Sequence, residues 1–192
     1  MNTHVRLGAG GTMSVEYVRR ARQLGWPGLR RLWREIEQGT AAGWPPGRAL
    51  EHLVLRAFEL SGAEVVWPYV VRVGNEVVEQ IDGAVHVHGL SCIVECKDTA
   101  APLSIGAIAK LRNQLLSRPG GAIGLLFSRG GFTLQATVLG RFVAPQAILL
   151  WDGNDIAYHL EHEDLSRGLV MRHRHSVEHG MMKYDISREA RR

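Results

Sequence analysis

Ile93-Val94-Glu95-Cys96-Lys97, preceded one strand earlier by Gln80-Ile81-Asp82-Gly83, is the stretch that decides the architecture. Side chains alternate along a strand, so Glu95 and Lys97 share one face while Val94 and Cys96 take the other. On its own, a Glu-x-Lys pair reads as a solvated ladder of opposite charges. Here two consecutive apolar residues precede it, as in a strand buried on both faces, where a terminal charge is costly unless paired or metal-bound. An antiparallel neighbour would bring Asp82 beside the pair. Two carboxylates and an ammonium then make a compact, oxygen-rich site suited to a hard divalent cation.

Outward from this strand, helix and strand signals alternate. Leu50, Leu53, Val54, Ala57 and Phe58 line one face of a predicted helix over 48–60, closed by Ser61-Gly62. Beta-branched runs over 64–71, 77–88 and 90–97 predict a three-strand meander, with turns at Gly74-Asn75 and Gly89. A helix is predicted from Ser104, as N-cap, to Ser117, then a strand over 122–127 and a helix over 132–141. A buried strand over 147–151 and a helix over 155–162 follow. Upstream lie two amphipathic helices, one over 15–24 and one in which Leu29, Leu32, Trp33 and Ile36 oppose Arg30, Arg31 and Arg34. Gly43-Trp44-Pro45-Pro46-Gly47 then punctuates the chain. The predicted class is α/β, a three-layer core whose mixed central sheet is covered by helices on both faces. The organisation read from the sequence is a basic helical N-terminal extension (1–45), a core domain (46–165) and a basic C-terminal tail (166–192).

Length and composition fit one core: 192 residues with 45% apolar content. Cys92 and Cys96 lie about 13 Å apart along one strand, too far for a disulfide, and read as buried apolar residues in a reducing compartment. No apolar run approaches a membrane span, and none near the N-terminus has signal-peptide length, so a cytoplasmic protein is expected. The net charge of +4 is unevenly spread: each end, 1–45 and 166–192, carries seven bases and three acids, which leaves the middle at −4. An acidic centre between basic ends suits a cation site flanked by groups that neutralise a polyanion, though the ends read equally well as solvated tails. Arg172-His173-Arg174-His175, the arginines at 188–192 and those of the N-terminal helices are candidate phosphate contacts. His86 and His88, at i, i+2 with no third ligand nearby in sequence, are not assigned to zinc.

These residues resemble the PD-(D/E)xK nuclease superfamily, and within it the Mrr-type restriction endonucleases. Gly47-Arg48-Ala49-Leu50-Glu51 looks like that group's Gly-x-x-aromatic-Glu, with Leu50 in the aromatic position. Gln80-Ile81-Asp82-Gly83 resembles the segment bearing the first metal-binding aspartate, and Glu95-Cys96-Lys97 matches the (D/E)xK strand. Leu125 to Phe132 and Leu149-Leu150-Trp151-Asp152-Gly153 resemble later strand segments of the family. The likeness covers residues 47 to about 165, and the order and spacing of the motifs carry it.

The resemblance implies a restriction-endonuclease-like fold and a Mg²⁺-dependent endonuclease, with Mn²⁺ as a substitute, of restriction or defence type. Its substrate would be DNA, double-stranded first. The catalytic set it implies is Glu51, Asp82, Glu95 and Lys97. Asp82, Glu95 and the main-chain carbonyl of Cys96 would hold the cation, with Glu51 as a further holder of metal or bound water. Lys97 would serve the attacking water and the phosphate. Gln80, on the face of Asp82, and Gln114, four residues after Lys110 on the next helix, are accessory candidates; the Lys110–Gln114 face reads more simply as solvated. A second copy of the chain is the expected partner, and no membrane is. The alternatives are a non-cleaving module that binds nucleic acid or a partner on the same fold, and a nuclease for RNA or branched substrates.

Overall fold

The strand carrying Glu95 and Lys97, β5 (Leu90–Lys97), lies at the centre of the sheet on which the rest is laid out. The computed structural model describes residues 12–67, 69–73, 76–143 and 147–184. Before β5 come α1 (Thr12–Arg22), α2 (Trp26–Gln38), α3 (Arg48–Leu60), β1 (Glu64–Val66), β2 (Tyr69–Val73), β3 (Glu76–Ile81) and β4 (Gly83–Val87). After it come α4 (Ile105–Leu116), β6 (Ile123–Ser128), α5 (Leu134–Val143), β7 (Ile148–Asp152), α6 (Gly153–His162) and α7 (Leu165–His179). The five-stranded sheet has the order β1-β4-β5-β6-β7, antiparallel from β1 to β5 and parallel from β5 to β7.

Strand alternation sorts the core into two layers. Cys92, Val94, Cys96, Leu125, Phe127, Leu149 and Trp151 face α2, α3, α6 and α7. Ile93, Leu126, Ile148 and Leu150 face α4 and α5, where Ile108, Leu111, Leu115 and Ala136 meet them. Both faces of β5 to β7 are thus buried, which is why these strands read as near-continuous apolar runs. Phe58, Phe127 and Trp151 pack edge-on and stacked at ring separations of 5.0 to 6.4 Å in the first layer.

The meander departs from expectation in one respect. The expected strand over 77–88 breaks at Asp82, and the one over 64–71 divides into β1 and β2, so β2 and β3 pair with each other as a separate two-stranded ribbon. The break falls where Gly83 passes under α3: a Cβ there would lie 2.6 Å from Leu55 Cδ2 and 3.1 Å from the Val66 carbonyl. β4 therefore starts afresh at a residue with no side chain. Its return to β5 is a two-residue turn, His88-Gly89, with both residues left-handed (φ 50° and 80°), the geometry that matches strand twist. The expected turn at Gly74-Asn75 lies outside the described residues.

Basic residues at the two ends also differ from expectation. The stretch read as a tail from residue 166 opens with α7, which buries Leu165, Ser166, Gly168, Leu169 and Arg172. Arg172 donates to the Leu150 carbonyl (3.1 Å), pairs with Asp155 (2.6 Å) and stands 4.2 Å over the Trp151 ring. An interior counter-ion of this kind is not a phosphate contact. In the N-terminal helices Arg22 pairs with Glu59 (3.1 Å) and Arg30 with Glu163 (2.9 Å), which bind the extension to the core, while Arg20 donates to the Gly43 carbonyl (2.7 Å) within the extension. The arginines at 188–192 lie outside the described residues. Among the described residues no helix is long and apolar enough to cross a membrane.

The loop after β5 is fastened to the loop after β6. Leu103 N–H donates to the Gly131 carbonyl (2.9 Å) and Thr133 N–H to that of Leu103 (3.0 Å), while Arg129 pairs with Asp98 (2.5 Å). A Cβ on Gly130 would lie 2.4 Å from the Ala100 carbonyl oxygen, a backbone atom that cannot turn aside. Gly130→Ala is therefore expected to cost about 1–3 kcal/mol in urea unfolding. Gly120→Ala, where a Cβ meets nothing within 4 Å, is the matched control and is expected to be neutral or slightly stabilising.

Candidate active site

The site is assembled where the antiparallel ladder between β4 and β5 runs out. Cα pairing proceeds from Val87–Leu90 to Gly83–Val94 and stops. One step further, the Cys96 N–H donates to Asp82 Oδ2 at 2.7 Å, so a side-chain carboxylate takes up a strand donor that β4 no longer reaches. The bend between β3 and β4 thereby places Asp82 against β5. N–H and C=O of one strand residue point to the same edge, and the next carbonyl, that of Lys97, accepts from Arg129 N–H on the opposite edge (3.3 Å). The Cys96 carbonyl therefore faces the side of Asp82.

Glu95 and Lys97 lie on the α4 side of the strand, and Lys97 Nζ donates to Glu95 Oε1 at 2.5 Å. Lys110 of α4 reaches the same oxygen, at 2.6 Å. Glu51 comes from the first turn of α3, on the other side of the sheet, and Arg48 Nη1 reaches both of its oxygens at 2.8 Å. Glu51 and Glu95 are buried and Asp82 and Lys97 half-buried.

Burial and crowding of like charges set the acid strengths. Burial first, then the charge of Asp82, push Glu51 up to about 8 against the opposition of Arg48. Burial first, then the charge of Glu95, push Asp82 up to about 6, against the Cys96 N–H, Lys97 and Arg48. Burial disfavours the Lys97 ammonium, but its hydrogen bond to Glu95 and the charges of Glu95 and Asp82 outweigh that, so its pKa stands above the ordinary value. Two neighbouring acids, one buried and one half-buried, whose affinities for protons are displaced this far are a functional-site signature.

Glu51, Asp82, Glu95, Lys97 and the Cys96 main chain are thus brought to one end of the sheet. Two residues outside the implied set join them. Arg48 carried a local signal, an i, i+3 spacing to Glu51; Lys110 stood on a helix face expected to be solvated. Gln80 is exposed on β3, paired with Val70 of the ribbon. Gln114 is half-buried one turn beyond Lys110. Among the described residues no hydrogen bond links either glutamine side chain to the carboxylates.

The donor set fits a hard divalent cation. All its donors are oxygens, and a dication would relieve the repulsion that lifts Asp82 and Glu51. It is also sparse: among the described residues no three His, Cys, Asp or Glu side chains converge as a ready-made cage. Mg²⁺ is commonly held in this way, through one or two carboxylates with water and substrate oxygens completing its shell. Cys92 and Cys96 are free and buried, and burial pushes the Cys92 thiol up to about 12, which leaves it no role as a ligand.

The α/β core with its mixed sheet thus carries acids and a lysine at the end of its central strand. The Mrr catalytic-domain family, described as restriction endonuclease, matches residues 46–160, more than half of the chain. The protein belongs to this family and has its restriction-endonuclease-like fold. Among solved structures it is similar to a protein of unknown function, AF1548, with 20% identity and TM-score 0.48 over 58% of this chain and 65% of that one. It is also similar to the restriction endonuclease FokI, with 14% identity and TM-score 0.44 over 80% of this chain and 30% of that one. The chain spans less than two thirds of the length of either protein. No curated protein matches it by sequence.

Asp82 and Glu51 have folded-state values above those of an unfolded chain, so the folded state binds more protons over that interval. Without a cation their contribution to stability is full below about pH 4 and is lost as the pH rises toward 6 for Asp82 and 8 for Glu51. Asp82→Asn removes the Asp82 share together with the part of the Glu51 shift that the Asp82 charge causes, and is expected to be more stable than the wild type at pH 8 in EDTA and to lose the advantage below pH 4. The difference between the two urea midpoints, followed across pH, isolates the effect. His52 and His159, which burial pushes down to about 4, act in the opposite sense in both proteins, losing stability as the pH falls from 6.5 through 4.

Proposed function

We propose that this protein is a Mg²⁺-dependent endodeoxyribonuclease of restriction or defence type that hydrolyses phosphodiester bonds in double-stranded DNA as a homodimer. The observation that carries this reading is the meeting of Asp82, Glu95 and Lys97 at the end of β5, with Asp82 fixed by the Cys96 N–H. The family membership and the perturbed acids support it.

In this reading Asp82, Glu95 and the Cys96 carbonyl would hold Mg²⁺, which supplies charge neutralisation at the phosphate and an acidified water when bound. Glu95 keeps the Lys97 ammonium aimed into the site through the 2.5 Å hydrogen bond. Lys97 then offers the remaining N–H groups to the attacking water and to the phosphate oxygen on which charge develops. Its raised pKa keeps it protonated, which suits it to orienting and stabilising rather than to removing a proton. Burial and the charge of Asp82 raise the affinity of Glu51 for a proton, and a cation beside it would lower that affinity. Cutting both strands of a duplex calls for two such sites, which a second copy of the chain provides.

The direct test is cleavage of supercoiled plasmid in Mg²⁺ by the wild type, Asp82→Asn, Glu95→Gln and Lys97→Ala. Cleavage is expected in the wild type and at least about 10²-fold slower in each variant. Undiminished cleavage by Asp82→Asn and Lys97→Ala overturns the assignment. Faster turnover of RNA, single strands or branched DNA than of duplex would reassign the substrate, and salt-sensitive binding without cleavage under any divalent cation would favour a binding module.

A further inference from the structure

Glu95 Oε1 is shared by two ammonium groups, Lys97 at 2.5 Å and Lys110 at 2.6 Å, although the reading above needs only the first. In formal charges the site is already balanced: Glu51, Asp82 and Glu95 are matched by Arg48, Lys97 and Lys110. A dication entering this cluster adds two positive charges to a buried, balanced group, and the carboxylate it would use carries two lysines. Withdrawal of one of them offsets part of that added charge.

The two lysines are not equally free to do so. Lys97 stands within β5, its carbonyl bonded to Arg129 N–H, and its side chain is 35% exposed. Its ammonium is also held by the charge of Asp82. Lys110 approaches from α4 with a side chain 55% exposed, and rotation about its side-chain bonds takes the ammonium into solvent with no backbone movement.

We infer that Lys110 is a displaceable counter-ion: it neutralises Glu95 while the site is empty, gives way to the divalent cation, and, once freed at the rim, pairs with a DNA phosphate. This rests on the proposed cation site and adds to it a coupling between cation and DNA. Lys110 opposes cation binding in the free protein and favours DNA binding in the loaded one. It acts through Glu95 and the phosphate, as a positioning residue.

Two readouts other than cleavage test it. In Mn²⁺ titrations followed by electron paramagnetic resonance without DNA, Lys110→Met is expected to bind about fivefold tighter than the wild type, the scale of one half-exposed ion pair. Lys110→Arg, which keeps the charge, is expected to stay near the wild type. Equal or weaker Mn²⁺ binding by Lys110→Met overturns the inference while leaving the cation site standing. Absence of Mn²⁺ binding in all three proteins overturns the cation site and the inference together. With duplex DNA in Ca²⁺, and its integrity checked on a gel, Lys110→Met is expected to bind several-fold more weakly, with a salt slope smaller by about one phosphate. In EDTA the two proteins are expected to bind DNA equally. A loss of the same size in Ca²⁺ and EDTA marks Lys110 as a standing phosphate contact and overturns the displacement.

Discussion

The hydrogen bond from the Cys96 N–H to the Asp82 carboxylate, 2.7 Å long, is the interaction on which the site depends. It exists because β4 begins at Gly83 and leaves the next donor of β5 without a strand partner. A buried N–H left unpaired costs as much as a lost hydrogen bond, so the bend at Asp82 is fixed by the same requirement that holds the sheet together. The consequence is chemical. An acid is held beside a second acid that burial and packing do not allow to move away, and the Cys96 carbonyl faces the same edge.

The layers around the sheet keep that arrangement in place. α3 supplies Leu55 over Gly83 and Glu51 in the same helix, while α4 supplies Ile108 and Leu111 to the core and Lys110 to Glu95. Core packing and site geometry are therefore set by the same two helices. Arg48 and Lys97 offset part of the electrostatic cost, and what remains appears as the raised affinity of Glu51 and Asp82 for protons. Interior acids left in this state destabilise a fold unless a cation or a ligand completes them, a familiar compromise between stability and activity.

The strands with both faces buried were the most legible part of the sequence, because apolar runs bounded by glycine and polar turns have few other readings. The alternation that puts Glu95 and Lys97 on one face needed no tertiary information. The division at Asp82 was hidden: Val77 to His88 is rich in β-branched residues throughout, and the reason for a break at Gly83 lies in Leu55 of another element. α7 was missed because the basic residues after 166, Arg172-His173-Arg174-His175 among them, read as a tail of phosphate contacts or solvated charges, whereas Leu165, Leu169 and Arg172 are buried on the helix. A buried arginine is recognisable only when Asp155 and Trp151 are in place around it. For Lys110 the sequence supplied the helix and the neighbourhood but could not say whether the side chain turned toward Glu95 or toward water.

A divalent cation held between Asp82 and Glu95 is the centre of the proposed chemistry. The most direct measurement is anomalous diffraction from crystals soaked in Mn²⁺. A single strong peak bounded by the Asp82 and Glu95 carboxylates and the Cys96 carbonyl, with Lys97 still against Glu95, is the predicted result. A well-diffracting soaked crystal with no peak there, and Glu95 still held by both Lys97 and Lys110, would contradict it.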